Sequence, residues 1–172
     1  TRAAVIRRLA PAVFVAAVGP LAGLAGMAHV MLPGDVRRAL RDADRLELLS
    51  LSPEWVSKEE AAAAPPGGLF RGWTVLGKAS LEGGERGRLR RALWWGAASG
   101  LAPAMCFNPR HGIHAEKNGT TTVDVVICFE CGQSITWRGA DEGNGSSALI
   151  GGLFTGDFDR LLREHGVRLA EN

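Results

Sequence analysis

Ile113-His114-Ala115-Glu116-Lys117-Asn118-Gly119-Thr120-Thr121-Thr122-Val123-Asp124-Val125-Val126-Ile127-Cys128-Phe129 is the stretch that decides the fold class. Asn118-Gly119 is a strong hairpin signal, because both central positions of a type I′ turn need positive φ and these two residues tolerate it. The flanking runs, Ile113 to Lys117 and Thr121 to Phe129, alternate and are rich in β-branched residues, as paired strands are. Gln133 to Arg138, around Ile135 and Trp137, predicts a third strand and turns the hairpin into a meander.

Working outward, Phe70 to Leu81 reads as one strand with Trp73, Val75 and Leu81 toward a core, and Leu46 to Leu51 as another that stops at Ser52-Pro53. Between the second of these and the meander, Glu85 to Ser99 has helical spacing: Leu89, Ala92/Leu93 and Gly96/Ala97 share a face, and the arginines lie mostly off it. Trp94-Trp95 flanks that face and is read as packing. Asp35 to Arg45 and Asp157 to His165 are shorter amphipathic helices, and Gly139 to Gly145 is a polar loop. Strands and helices in separate blocks imply an α+β domain: a largely antiparallel sheet with helices packed on one face, preceded by an apolar N-terminal helix.

That last element is the sharpest break in composition. Leu9 to Leu32 carries no formal charge and follows Arg7-Arg8, a span of roughly 20 or more apolar residues that suffices to cross a bilayer. Residues 1–34 are therefore assigned to a signal peptide or membrane anchor, and residues 35–172 to a single α+β domain. The expected location is exported or membrane-anchored, with the domain periplasmic or extracellular. The membrane, through residues 9–32, is the expected partner, together with a protein partner.

With 172 residues there is room for one domain, and 46% hydrophobic and 22% charged residues are ordinary for a globular chain with an apolar extra segment. The net charge of +2 is too near neutrality to imply a nucleic-acid surface, and the arginines do not share a face with interleaved aromatics. Nucleic acid is excluded as a partner.

All three cysteines fall in or beside the meander: Cys106-Phe107-Asn108-Pro109-Arg110-His111-Gly112 before it, and Cys128-Phe129-Glu130-Cys131 at its second turn. Carrying the Lys117 to Thr120 pairing along the hairpin sets Cys106 opposite Cys131 and Pro109 opposite Cys128. Three readings stay open. A disulfide between Cys106 and Cys131 suits an oxidising compartment and leaves one thiol. Zinc suits the Cys₃His set Cys106, His111, Cys128 and Cys131, provided the strand bends at Glu130 to Gly132. A thiolate at Cys106 stabilised by His111 or Arg110 would serve a catalytic role. Arg110 is read as pairing with Glu130, and Asp124 and Glu130 as solvated charges.

Phe70-Arg71-Gly72-Trp73-Thr74-Val75-Leu76-Gly77, Cys106 to Ile113, Val126 to Cys131 and Phe158-Asp159-Arg160-Leu161-Leu162 together resemble a group of small bacterial proteins of unassigned function, often with an export or lipoprotein signal. The resemblance covers roughly Leu46 to Leu169, a single domain's worth of chain. It implies an exported α+β domain and no activity. This chain lacks the cysteine on which lipoprotein members are acylated.

Two function classes follow. The first is an exported or membrane-tethered, non-catalytic binding or accessory domain whose Cys/His cluster stabilises its sheet. The second is a small metal- or thiol-dependent enzyme using Cys106 and His111. No nucleophile, base and oxyanion arrangement is legible, which favours the first.

Overall fold

The structure, a computed structural model, describes residues 32–56, 68–99, 106–140, 143 and 145–170. The apolar run read as a membrane helix lies almost wholly outside them. No helix among the described residues is long and apolar enough to cross a membrane.

The elements run α1 (Gly34–Asp42), β1 (Arg45–Trp55), β2 (Leu69–Phe70), β3 (Trp73–Ser80), α2 (Gly83–Ser99), β4 (His111–Lys117), β5 (Thr120–Cys128), β6 (Gln133–Arg138), β7 (Ser146–Leu149), a 3₁₀ turn (Gly152–Phe154) and α3 (Thr155–Glu164). The strands form one seven-stranded sheet in the order β2-β3-β1-β4-β5-β6-β7, and every neighbouring pair is antiparallel. The α+β class with an antiparallel sheet is therefore observed.

Period-two alternation splits the apolar residues between the two sheet faces. Leu46, Leu48, Ile113, Ala115, Val123, Val125 and Ile127 join residues of all three helices, among them Leu40, Leu89, Leu93, Phe158 and Leu162, in the larger core. Leu49, Leu51, Phe70, Trp73, Val75 and Val126 form a smaller cluster on the opposite face, with Phe107 and Trp137 packed against it.

Three expectations change. The run from Phe70 to Leu81 is a hairpin, because Arg71 and Gly72 both take positive φ (52° and 94°) and turn the chain between β2 and β3. Pro53 does not end β1; the strand reaches Trp55 with its pairing to β3 broken between Leu51 and Trp55, where a residue without an N–H can sit. The segment after Gly145 adds an edge strand, β7, paired to β6.

The Asn118-Gly119 turn forms as read, with φ of 52° and 73°, and Lys117 pairs with Thr120. Two residues along, the register slips: Glu116 faces Thr121, but Ala115 faces Val123. Thr122 is the extra residue of a β-bulge, and its Oγ1 donates to the Ala115 carbonyl at 3.0 Å. From there on, every partner differs by one residue from the uninterrupted register, so the faces exchange.

Candidate functional site

His111 opens β4 with its side chain on the helix face, 4% exposed. Its Nε2–H donates to Asp159 Oδ1 of α3 at 2.9 Å. The ring is held edge-on by Phe129 and Phe158, with centroids at 5.4 and 5.6 Å, and those two rings meet at 4.9 Å. Phe129 comes from the turn between β5 and β6, and Phe158 adjoins Asp159 on α3. Three distant stretches thus fix one imidazole. The His111 hydrogen bond holds the Asp159 carboxyl below its ordinary range against the opposing effect of burial, and Arg163 and Arg110 act in the same direction as His111.

Ser50 of β1 pairs directly with His111 across the sheet, on the same face. It is fully buried, and its Oγ has no hydrogen-bond partner among the described residues. A buried hydroxyl without a partner costs about 1–3 kcal/mol. Both residues line a cavity of about 500 Å³, with Asn108 and Arg110 ahead of β4, Phe129 and Glu130 after β5, and Asp159 and Arg163 on α3. Val167 and Leu169 add apolar wall. The charged rim is balanced: Arg110 lies 3.5 Å from Glu130, and Arg163 lies 3.8 Å from Asp159. The Arg110 to Glu130 pairing is the one read from the sequence.

The cysteines are arranged differently from the expected pairing. Cys128 and Cys131 are joined to each other, with Cα atoms 5.2 Å apart, and Cys106 is free and exposed. The β4–β5 ladder ends at His111 and Ile127, so Cys106 lies before it and Cys131 lies past the end of β5, in the turn that folds it back onto Cys128. The closed turn is stitched to the preceding segment: Cys131 N–H donates to Cys128 Sγ at 3.0 Å, and Asn108 N–H donates to Cys131 Sγ at 3.3 Å. The Cys106, His111, Cys128 and Cys131 set is not assembled as a zinc site, because two of its sulfurs are bonded together and the imidazole is turned to Asp159. Among the described residues, no group of three or more His, Cys, Asp or Glu side chains converges to hold a metal.

His111, Arg110 and Glu130 are visible in the sequence as parts of the two motifs; Asp159 enters only within Phe158 to Leu162, as part of the resemblance, and Ser50 and Arg163 are not singled out. Ser50 had a signal, as the one polar residue in the inward series Leu46, Leu48, Ser50. For Asp159 only its place beside the apolar Phe158 was suggestive.

A second polar cluster lies on the other sheet face. Asp124, read as a solvated charge, is 5% exposed. It accepts from Arg71 Nε at 2.7 Å and from His114 Nδ1 at 2.6 Å. His114 Nε2 is 2.9 Å from Glu116 Oε1, Arg45 bridges Glu116 and the buried Glu47 at 3.3 and 2.7 Å, and Lys78 lies 3.4 Å from Glu47. Asp124, then Glu116, raise the His114 pKa against its partial burial, and His114 is the leading cause of the lowered value at Glu116. This chain of charges ties β1, β3, β4, β5 and the β2–β3 turn together, and none of its residues lines the cavity around His111.

Comparison with protein-family models, with curated proteins and with solved structures finds no match for this chain.

Proposed function

We propose that this chain is an exported or membrane-tethered binding domain that takes a small ligand carrying both anionic and cationic groups in the cavity around His111. The observation that carries this reading is the buried Ser50 hydroxyl without a partner, beside an imidazole already fixed by Asp159, in a cavity of about 500 Å³. That volume lies within the range of small-molecule pockets. Arg110 and Arg163 suit a carboxylate or similar anion, Asp159 and Glu130 suit an ammonium, and Phe129, Val167 and Leu169 suit an apolar body. The two motifs that stand out in the sequence both contribute walls, which gives the cysteine turn a role in shaping the site.

The export or anchoring part of the proposal rests on Arg7-Arg8 ahead of the uncharged run Leu9 to Leu32. A thiol-dependent reaction at Cys106 and His111 has less support: Cys106 is exposed, and His111 is buried against Phe129 and Phe158 with Asp159 as its partner.

The test is a thermal-shift and calorimetric screen of free amino acids, small dicarboxylates and short peptides against the purified full chain. A ligand of this class should raise the melting temperature, and Arg163→Gln, on the exposed rim, should weaken it about tenfold, as loss of one charged contact does, without changing the melting temperature of the unliganded protein. Failure of every such compound, or equal binding by Arg163→Gln and Ser50→Ala variants, overturns the assignment of this cavity.

A further inference from the structure

Leu32, the last residue of the uncharged run, is buried in the larger core at 7% exposure, and α1 begins two residues later. No spacer separates the run from the folded domain. If the run enters a bilayer, as proposed above, the surface around Leu32 is held at headgroup level.

That surface is a groove of about 220 Å³ between α1 and α2, lined by Leu32, Arg37, Leu40, Arg41, Arg90 and Trp94. The Arg37 guanidinium lies over the Trp94 ring, 4.7 Å from its centroid. Arg90 Nη1 reaches the Arg41 carbonyl at 3.5 Å, and Arg86 donates to the Ala43 carbonyl, so α2 places its arginines at the C-terminal end of α1. Among the described residues no carboxylate lines the groove; the nearest acid in sequence, Asp42, pairs with Arg41 at 2.8 Å on the exposed side. The two helices carry seven arginines, at 37, 38, 41, 86, 88, 90 and 91, and three acids, Asp35, Asp42 and Glu85; Arg88 is taken up by Glu164 of α3 at 2.6 Å. Two of those acids already have cationic partners besides: Asp35 pairs with Arg138, and Glu85 with His165.

We infer that this groove seats on the anionic phospholipid headgroups of the bilayer that receives residues 9–32. Three arginines around an apolar floor with a tryptophan at the edge combine the two features that hold a protein at a membrane interface: cations for the lipid phosphates, and an amphipathic ring for the headgroup layer. Seating of the groove on headgroups rests on the anchoring part of the proposed function and is independent of the His111 cavity.

The experiment uses the full chain in vesicles of phosphatidylcholine alone and of phosphatidylcholine mixed with phosphatidylglycerol. Flotation after an alkaline wash reads the anchor, and amide hydrogen exchange over α1 reads the groove. The expected result is flotation with both vesicles and exchange in α1 slower by about fivefold or more only with phosphatidylglycerol, since one basic residue at an anionic surface contributes a factor of about five. Changing Arg37, Arg41 and Arg90 together to Gln should abolish that difference, and changing them together to Lys should keep it, which separates lost charge from lost packing. Flotation with both vesicles but identical exchange in α1 overturns the groove and leaves the anchor standing. Protection of α1 in both vesicles alike, insensitive to the Gln changes, means that the apolar segment itself covers the groove and also overturns the inference. Absence of flotation with either vesicle refutes the anchor, and the inference falls with it.

Discussion

Arg71 and Asp124 lie far apart in the chain, yet Arg71 Nε donates to Asp124 Oδ2 at 2.7 Å with both side chains largely out of solvent. The pair fastens the β2–β3 turn to the centre of β5. Arg71 Nη2 also reaches the Gly139 carbonyl at 3.2 Å, and its guanidinium stands 5.3 Å from the Trp137 ring centroid.

Asp124→Ala should destabilise the domain by about 3 kcal/mol, because it takes the carboxylate from Arg71 and from His114 in a poorly solvated place. Urea unfolding of the variant checks this. A loss below about 1 kcal/mol would mean that the pair behaves as an exposed ion pair does.

Stability should fall on the alkaline side through His114. Its folded pKa is raised by Asp124 first and Glu116 second, so its contribution is complete below the unfolded value of about 6.5 and disappears as pH climbs through the folded one. Glu116 and Asp159 act with the opposite sign: their folded pKa values are lowered, so their contributions hold above about pH 4 and vanish as pH falls through the lowered values. Melting temperature should therefore peak on the mildly acidic side. In His114→Gln the decline above about pH 6.5 should flatten, and superimposable profiles for the two proteins would clear His114 of the role.

Thiol titration should find one reactive cysteine per chain before reduction and three after, matching one free cysteine and one bridge. Cys106→Ala should leave the melting temperature unchanged. Cys128→Ser should cost about 2 kcal/mol, the chain-entropy value for so short a loop. The reverse ranking would restore the pairing of Cys106 with Cys131.

Gly112→Ala should cost about 1–3 kcal/mol. A Cβ there would stand 2.9 Å from the Phe70 ring and 3.3 Å from Leu51 Cδ1, so the glycine after His111 is needed for packing on the face opposite the cavity. An unchanged melting temperature would show that the Phe70 ring can move aside.

The legible parts of the fold were those with local chemistry. Asn118-Gly119 specified its own turn, and Gln133 to Arg138 formed the strand its alternation required. β7 escaped notice because Ser146-Ser147-Ala148-Leu149 has no β-branched or aromatic residue and follows a glycine-rich run; it is a strand because β6 offers it a free edge. The cysteine pairing was misread for a different reason. The expected register runs on past the end of β5, and nothing in Cys128-Phe129-Glu130-Cys131 alone says that the chain turns there and closes on itself. Asp124 escaped for want of its partner, since a lone acid on a strand is ordinary until Arg71 is brought over it by a turn more than fifty residues away.

The bridge between Cys128 and Cys131 closes a loop of sequence separation 3, so it removes little freedom from the unfolded chain and ties no distant elements together. Its loss therefore costs the domain only the roughly 2 kcal/mol of so short a loop and removes no link between separate strands of the sheet. The turn it closes carries Phe129 and Glu130, two walls of the cavity around His111, so reduction of the bridge should loosen that side of the cavity sooner than the sheet beneath it.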